Sequence, residues 1–194
     1  VKGDLAGMCR PGEDNTNMQQ RIADFKLNEC GFQYQAYPTT FWDIFGQSGI
    51  PLRTTISEMG PLLLSKLMDL NDTQSDIMSI IFKIADDQDL LLIDTKDLKA
   101  MLQFVSEHNK EFSEEYGNIA KQSIGAILRS LVALEAQGAD QFFGEPALNI
   151  TDWFSTGIDG KGMINILDCQ VLINNPAMYS VFLLWMMSEL FETL

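Results

Sequence analysis

No phosphate-binding loop is present in this chain: nowhere do two glycines stand four residues apart ahead of Lys-Ser or Lys-Thr. Cysteine is scarce. Cys9, Cys30 and Cys169 are far apart, and no Cys-x-x-Cys pair occurs, which excludes a zinc ribbon and a disulfide frame and fits the reduced thiols of a cytoplasmic protein. Histidine occurs once, at His108, and no motif pairs it with a Ser or Cys nucleophile. Basic residues are few, 13 against 27 acidic ones, for a formal net charge of −14. A surface of that sign repels phosphate backbones, so this region does not grip nucleic acid by itself. Long apolar runs are missing too. The most apolar stretch, Val181 to Met187, is far short of the roughly 20 residues that cross a bilayer. No signal peptide is visible.

What is present supports a packed core, since 46% of the 194 residues are hydrophobic. Both ends read as cut from a larger protein. Val1 to Leu5 resembles a strand exit, and the apolar helix over Phe182 to Leu194 stops without Gly or Pro. Residues 1–13 read as that exit plus a Gly/Pro loop. A helix is expected over about Asn15 to Asn28, on the stripe Met18, Ile22, Phe25 and Leu27. Tyr37 to Phe45 reads as a strand closed by Gly46 and Gly49. From there the period turns helical. Thr55-x-x-Glu58 forms a capping box, Pro61 fits only a first turn, and Asn71-x-x-Gln74 is a second capped start. Ile77, Ile80, Ile81 and Ile84 recur at helical spacing. So do Leu98, Met101, Leu102 and Val105, and Ala120, Ile124, Ile127, Leu128, Leu131 and Leu134, the last series ending at Gly138. Four helices in a row are expected between residues 57 and 137. Met163 to Leu167 reads as a strand after the turn Gly160-Lys161-Gly162, and Pro176 opens a last helix that is apolar nearly all round, hence buried on several sides. The fold expected is mostly α-helical with a few short strands. Its parts are 1–56 flanking a core, 57–137 as a helical subdomain, and 138–194 returning to the core.

Most motifs that invite a functional reading have a plainer one. Gly157-Ile158-Asp159-Gly160-Lys161-Gly162 has too few residues between its glycines and precedes a strand, so it reads as a hairpin turn on Asp-Gly. Asp86-Asp87-Gln88-Asp89 lacks the central Gly and alternate oxygens of a calcium loop and reads as a solvated helix end. His108 reads as a cation near a helix C-terminus. Met59, Met68, Met78 and Met101 lie on apolar stripes and read as core. Arg53 is set in an apolar, Thr-rich stretch, and Arg129 interrupts the apolar run of the fourth helix.

The long strings Thr40-Phe41-Trp42-Asp43-Ile44-Phe45-Gly46-Gln47-Ser48-Gly49 and Arg53 through Leu64 are distinctive. With Leu70-Asn71-Asp72-Thr73-Gln74, Asp94-x-Lys96-Asp97-Leu98 and Asn165-Ile166-Leu167-Asp168, they closely resemble the bacterial HerA-like ATPases of the YjgR type, in the HerA/FtsK branch of P-loop motors. The resemblance spans essentially the whole chain. It implies a parent with an α/β P-loop core and a helical insertion. In that family the Walker A loop precedes, and the Walker B carboxylates follow, the stretch found here. The implied parent is a cytoplasmic ring-forming homo-oligomer that couples ATP hydrolysis, with magnesium, to DNA translocation. The segment itself holds no cofactor or metal. Lys2, Gly3 and Asp4 would lie near the parent's nucleotide side. Ring ATPases use an arginine of one subunit on the neighbour's phosphate, and Arg53 and Arg129 are the candidates here. A reading from another class is an acidic helical protein-interaction module with no role on nucleic acid.

Overall fold

The computed structural model describes residues 3–193. The expectations on Val1 and Lys2 lie outside the described residues. Gly3 to Leu5 do not continue a strand. They open a 3-10 helix, Gly3–Cys9.

Three short strands form one parallel sheet in the order β2-β1-β3. They are β1 (Thr39–Asp43), β2 (Ile50–Pro51) and β3 (Ile164–Asp168). The β1–β3 register runs from Thr39 opposite Ile164 to Asp43 opposite Asp168. Trp42 Nε1 donates to Asn165 Oδ1 (2.8 Å) within that ladder, and Asn165 Nδ2 donates to the Trp153 carbonyl (3.0 Å). Parallel neighbours ordinarily need a crossover of a dozen residues or more. Only residues 44–49 join β1 to β2, and a buried carboxylate described below makes that tight return feasible.

The first helix, α1 (Thr16–Asp24), ends sooner than its apolar stripe implies. Phe25 closes it, and Lys26 turns left-handed into a 3-10 helix, Leu27–Cys30. The helical block holds more elements than the apolar periods reveal: α2 (Ile56–Leu67), α3 (Asp72–Asp87), α4 (Thr95–Glu107), α5 (Asn109–Tyr116), α6 (Lys121–Glu135) and α7 (Ala139–Phe142). Both capping boxes form as the sequence predicts, and Asp94 with Asp97 makes a third at α4. Gly60 leaves helical geometry inside α2 (φ 73°, ψ 164°), so Pro61 does occupy the first turn of a fresh helical run. The sequence reading overlooks α5 because Phe112 is its one buried side chain, too little for a visible stripe.

One apolar core joins α3, α4 and α6 through Ile77, Ile81, Leu98, Leu102, Ile124, Ile127 and Leu131. Met59, Met68, Met78 and Met101 belong to it, as expected. Leu128 is only half-buried and packs on the core's margin. The last helix, α8 (Pro176–Thr193), packs on α2 and on two 3-10 turns, Ile150–Phe154 and Leu172–Asn174. It buries Met178, Val181, Phe182 and Trp185 but leaves Leu184, Met187 and Phe191 exposed. The expectation of burial on several sides is corrected: within this chain α8 is covered along one side.

Candidate site at the carboxyl edge of the sheet

Ligands of open parallel sheets bind beyond the carboxyl ends of the strands. Here β1 ends at Asp43 and β3 at Asp168, side by side, while β2 leads into Arg53. Asp43 is 5% exposed. The chain folds back around its carboxylate: Oδ1 accepts from Phe45 N (2.9 Å), and Oδ2 accepts from Gln47 N (2.7 Å) and Ser48 N (2.9 Å). Converging amides of this sort make an anion-binding concavity. This one is already filled by the chain's own carboxylate. Gly49 completes the return, because a Cβ there would stand 2.7 Å from the Phe41 carbonyl oxygen. Asp168 is likewise turned to its own loop, with Oδ1 accepting from Gln170 N at 2.9 Å. The next residue, Cys169, has its thiol pushed above the ordinary range, chiefly by burial.

Arg53 sits where the sheet, α2 and the loop after α7 meet. Thr54 pairs in parallel with Phe143: Thr54 N donates to the Phe142 carbonyl (3.1 Å), and Gly144 N donates to the Thr54 carbonyl (2.9 Å). The Leu148 amide donates to the Arg53 carbonyl (2.8 Å), and Arg53 Nη1 donates to the Glu145 carbonyl (2.9 Å). Glu58 Oε2 accepts from Thr54 Oγ1 and from Thr55 N, each at 3.1 Å, which ties the start of α2 to the same junction. A guanidinium carries five N–H donors, so the bond to Glu145 leaves others over. Its Nε is buried without a partner, and the residue borders a cleft of about 250 Å³ lined also by Ile44, Phe45, Gly46, Pro51 and Gln141. The pairing of residues 53–54 with 142–148 carries no sequence signal, because the residues are far apart in the chain and share no motif.

The other candidates fall elsewhere. Arg129 is exposed on α6 and does not interrupt the buried run, which Ile124, Ile127, Leu131 and Leu134 supply from the opposite face. No hydrogen bond or ion pair among the described residues joins it to Arg53. Gly3 and Asp4 lie in the first 3-10 helix. His108 caps the end of α4, its Nδ1 3.0 Å from the Phe104 carbonyl and its ring tilted 44° to that of Phe104, with centroids 4.5 Å apart. The Gly157–Gly162 stretch is the hairpin turn expected. Gly157 N donates to the Lys161 carbonyl (2.7 Å), Gly160 has φ 75°, and Thr156 bridges Gly162 in antiparallel fashion. Asp87 ends α3 paired with Lys83 and accepts from the Tyr116 hydroxyl (3.0 Å). Lys83 first, then Tyr116, holds its carboxyl below the usual range. Among the described residues no cluster of His, Cys, Asp or Glu has the arrangement of a metal site.

Comparison with known families decides the identity, because the whole length is matched. This chain belongs to the helicase HerA-like C-terminal family, whose model matches residues 1–194. No curated protein and no solved structure matches it. Within this HerA-like region, no helix among the described residues is long and apolar enough to cross a membrane.

Proposed function

We propose that this HerA-like region is the scaffold of a cytoplasmic, ring-forming P-loop motor of the YjgR type that couples ATP hydrolysis to DNA translocation. The family match over residues 1–194 carries the reading. Nucleotide phosphates and magnesium do not fit the residues described here. The one amide nest at the sheet edge is occupied by Asp43, and no Lys-Ser or Lys-Thr follows a glycine loop. Other parts of the protein would have to hold them. The contribution of this region is then mechanical and, through Arg53, intersubunit. Arg53 borders the carboxyl edge with donors to spare, whereas Arg129 is the second choice, exposed on the helical block. A charge of −14 favours DNA contact by other parts of the protein.

The test is ATP turnover by the intact protein with and without duplex DNA. Turnover that rises with DNA supports the motor. A purified intact protein that hydrolyses no ATP sinks it. Calorimetry on this region alone should detect no ATP binding, and micromolar affinity there would show that it holds a nucleotide site of its own.

A further inference from the structure

The segment after α3 breaks the usual rule that leucines go inside. Leu91 is 76% exposed, Leu90 47% and, facing them from α4, Phe104 39%. Together with Leu92, Ala100 and Met101 they line a groove of about 330 Å³. Its backbone is pinned. Leu90 N donates to the Ala85 carbonyl (2.9 Å). Leu92 exchanges bonds with Ser57, its N–H donating to Ser57 Oγ and its carbonyl accepting from Ser57 N, both at 2.9 Å. The leucines are therefore presented by ordered chain, and a partner would not have to supply the ordering entropy. The size is at the low end for ligand pockets, about 300–1,000 Å³, which suits a few apolar side chains better than a nucleotide.

Charge decides the occupant. Aspartates stand at 86, 87, 89, 94 and 97 around the groove's loop, against two lysines, Lys96 and Lys99, with Asp87 already paired to Lys83. Asp86 and Asp89 have no ion-pair partner among the described residues. Such a rim repels nucleic acid, anionic lipid and a second copy of a chain carrying −14 charges. It complements lysine and arginine.

We infer that the groove between residues 88–92 and α4 docks a basic amphipathic protein segment, its apolar residues seated on Leu90, Leu91 and Phe104 and its cations facing Asp86 and Asp89. This is the helix-in-groove mode of peptide recognition, with steering by the acidic rim. It does not depend on the motor reading.

The test uses a fluorescein-labelled, lysine-flanked Leu/Phe peptide of about 15 residues, long enough for one amphipathic helix. A glutamate-flanked copy of it serves as control, and amide shifts of this chain are followed by NMR. The lysine peptide should bind at micromolar Kd and shift residues 88–104. Leu91→Ser, at a position exposed enough to leave the fold intact, should weaken it about tenfold. The double variant Asp86→Asn/Asp89→Asn should weaken it roughly threefold and flatten its salt dependence. No binding of the lysine peptide, equal binding of the glutamate peptide, or shifts elsewhere on the surface overturns the inference. So does an Leu91-dependent dimer in sedimentation, or Leu91-dependent pelleting with phosphatidylserine vesicles, since either would give the groove a different occupant.

Discussion

Arg53 Nη1 donates to the carbonyl oxygen of Glu145 at 2.9 Å across a sequence separation of 92 residues. That bond closes the two ends of the helical block onto the sheet. A hydrogen bond from a charged donor contributes about 1.5–3 kcal/mol. Arg53→Ala should therefore lower the urea-unfolding stability of the chain by about that amount. Arg53→Lys should recover part of it, since an ammonium reaches but cannot fork. An unchanged unfolding midpoint in Arg53→Ala would show that the junction holds without this contact.

The return loop after β1 depends on Asp43 and Gly49. Asp43→Asn keeps one acceptor but turns an NH2 group toward the Gln47 and Ser48 amides, which now donate to Oδ2. Leaving buried donors unsatisfied costs about 1–3 kcal/mol each. Gly49→Ala must push its methyl group into the Phe41 carbonyl. Both variants should unfold at clearly lower urea, and both should lose protection of the Leu52 amide, which donates to the Asp43 carbonyl at 3.1 Å, in hydrogen exchange.

Two leucines of α6 should respond differently to truncation. Leu131 is fully buried, and Leu131→Ala should cost about 3–5 kcal/mol through lost contacts and a residual cavity. Leu128 is half-buried at the core margin, where the site can collapse, and Leu128→Ala should cost about half as much. Equal losses would mean that α6 is rotated from the orientation described.

Glu189 gives the stability a definite pH dependence. Burial first, then the charges of Glu58 and Glu192, raise its carboxyl above the ordinary value. The folded state then holds its proton more tightly than the unfolded chain does. Stability falls as pH climbs from the ordinary carboxyl value through the raised one. Glu189→Gln should be more stable than the parent chain at pH 7, and the gap should close below about pH 4. A gap that widens on acidification would reverse the sign.

Local chemistry was legible in the sequence, and long-range pairing was not. Thr55 with Glu58, and Asn71 with Gln74, declare helix starts because each box is complete within a few residues. The stripes of α3, α4 and α6 declare their buried faces by period alone. α5 carries too few apolar residues to show a period. The apolar residues of α8, lying nearly all round, announce burial on several sides, yet Leu184, Met187 and Phe191 are exposed, since burial depends on neighbours that periodicity cannot name. At the candidate site, Arg53 could be singled out by its apolar setting. Its tie to Glu145 and the closure of the amide nest on Asp43 arise from loop geometry, which has no sequence period.

The central claim is that this region serves a motor whose nucleotide is held elsewhere and completed across a subunit boundary by Arg53. Subunit mixing tests it most directly. Arg53→Ala in the intact protein should keep nucleotide affinity and lower ATP turnover by about 10³-fold or more, the range of arginine fingers. Mixing that variant with a partner whose phosphate-binding lysine is replaced should restore turnover, because some interfaces then combine an intact nucleotide site with an intact Arg53. Turnover within about threefold of the parent protein in Arg53→Ala, or no recovery on mixing, would contradict the account and leave Arg53 as a structural tie to Glu145.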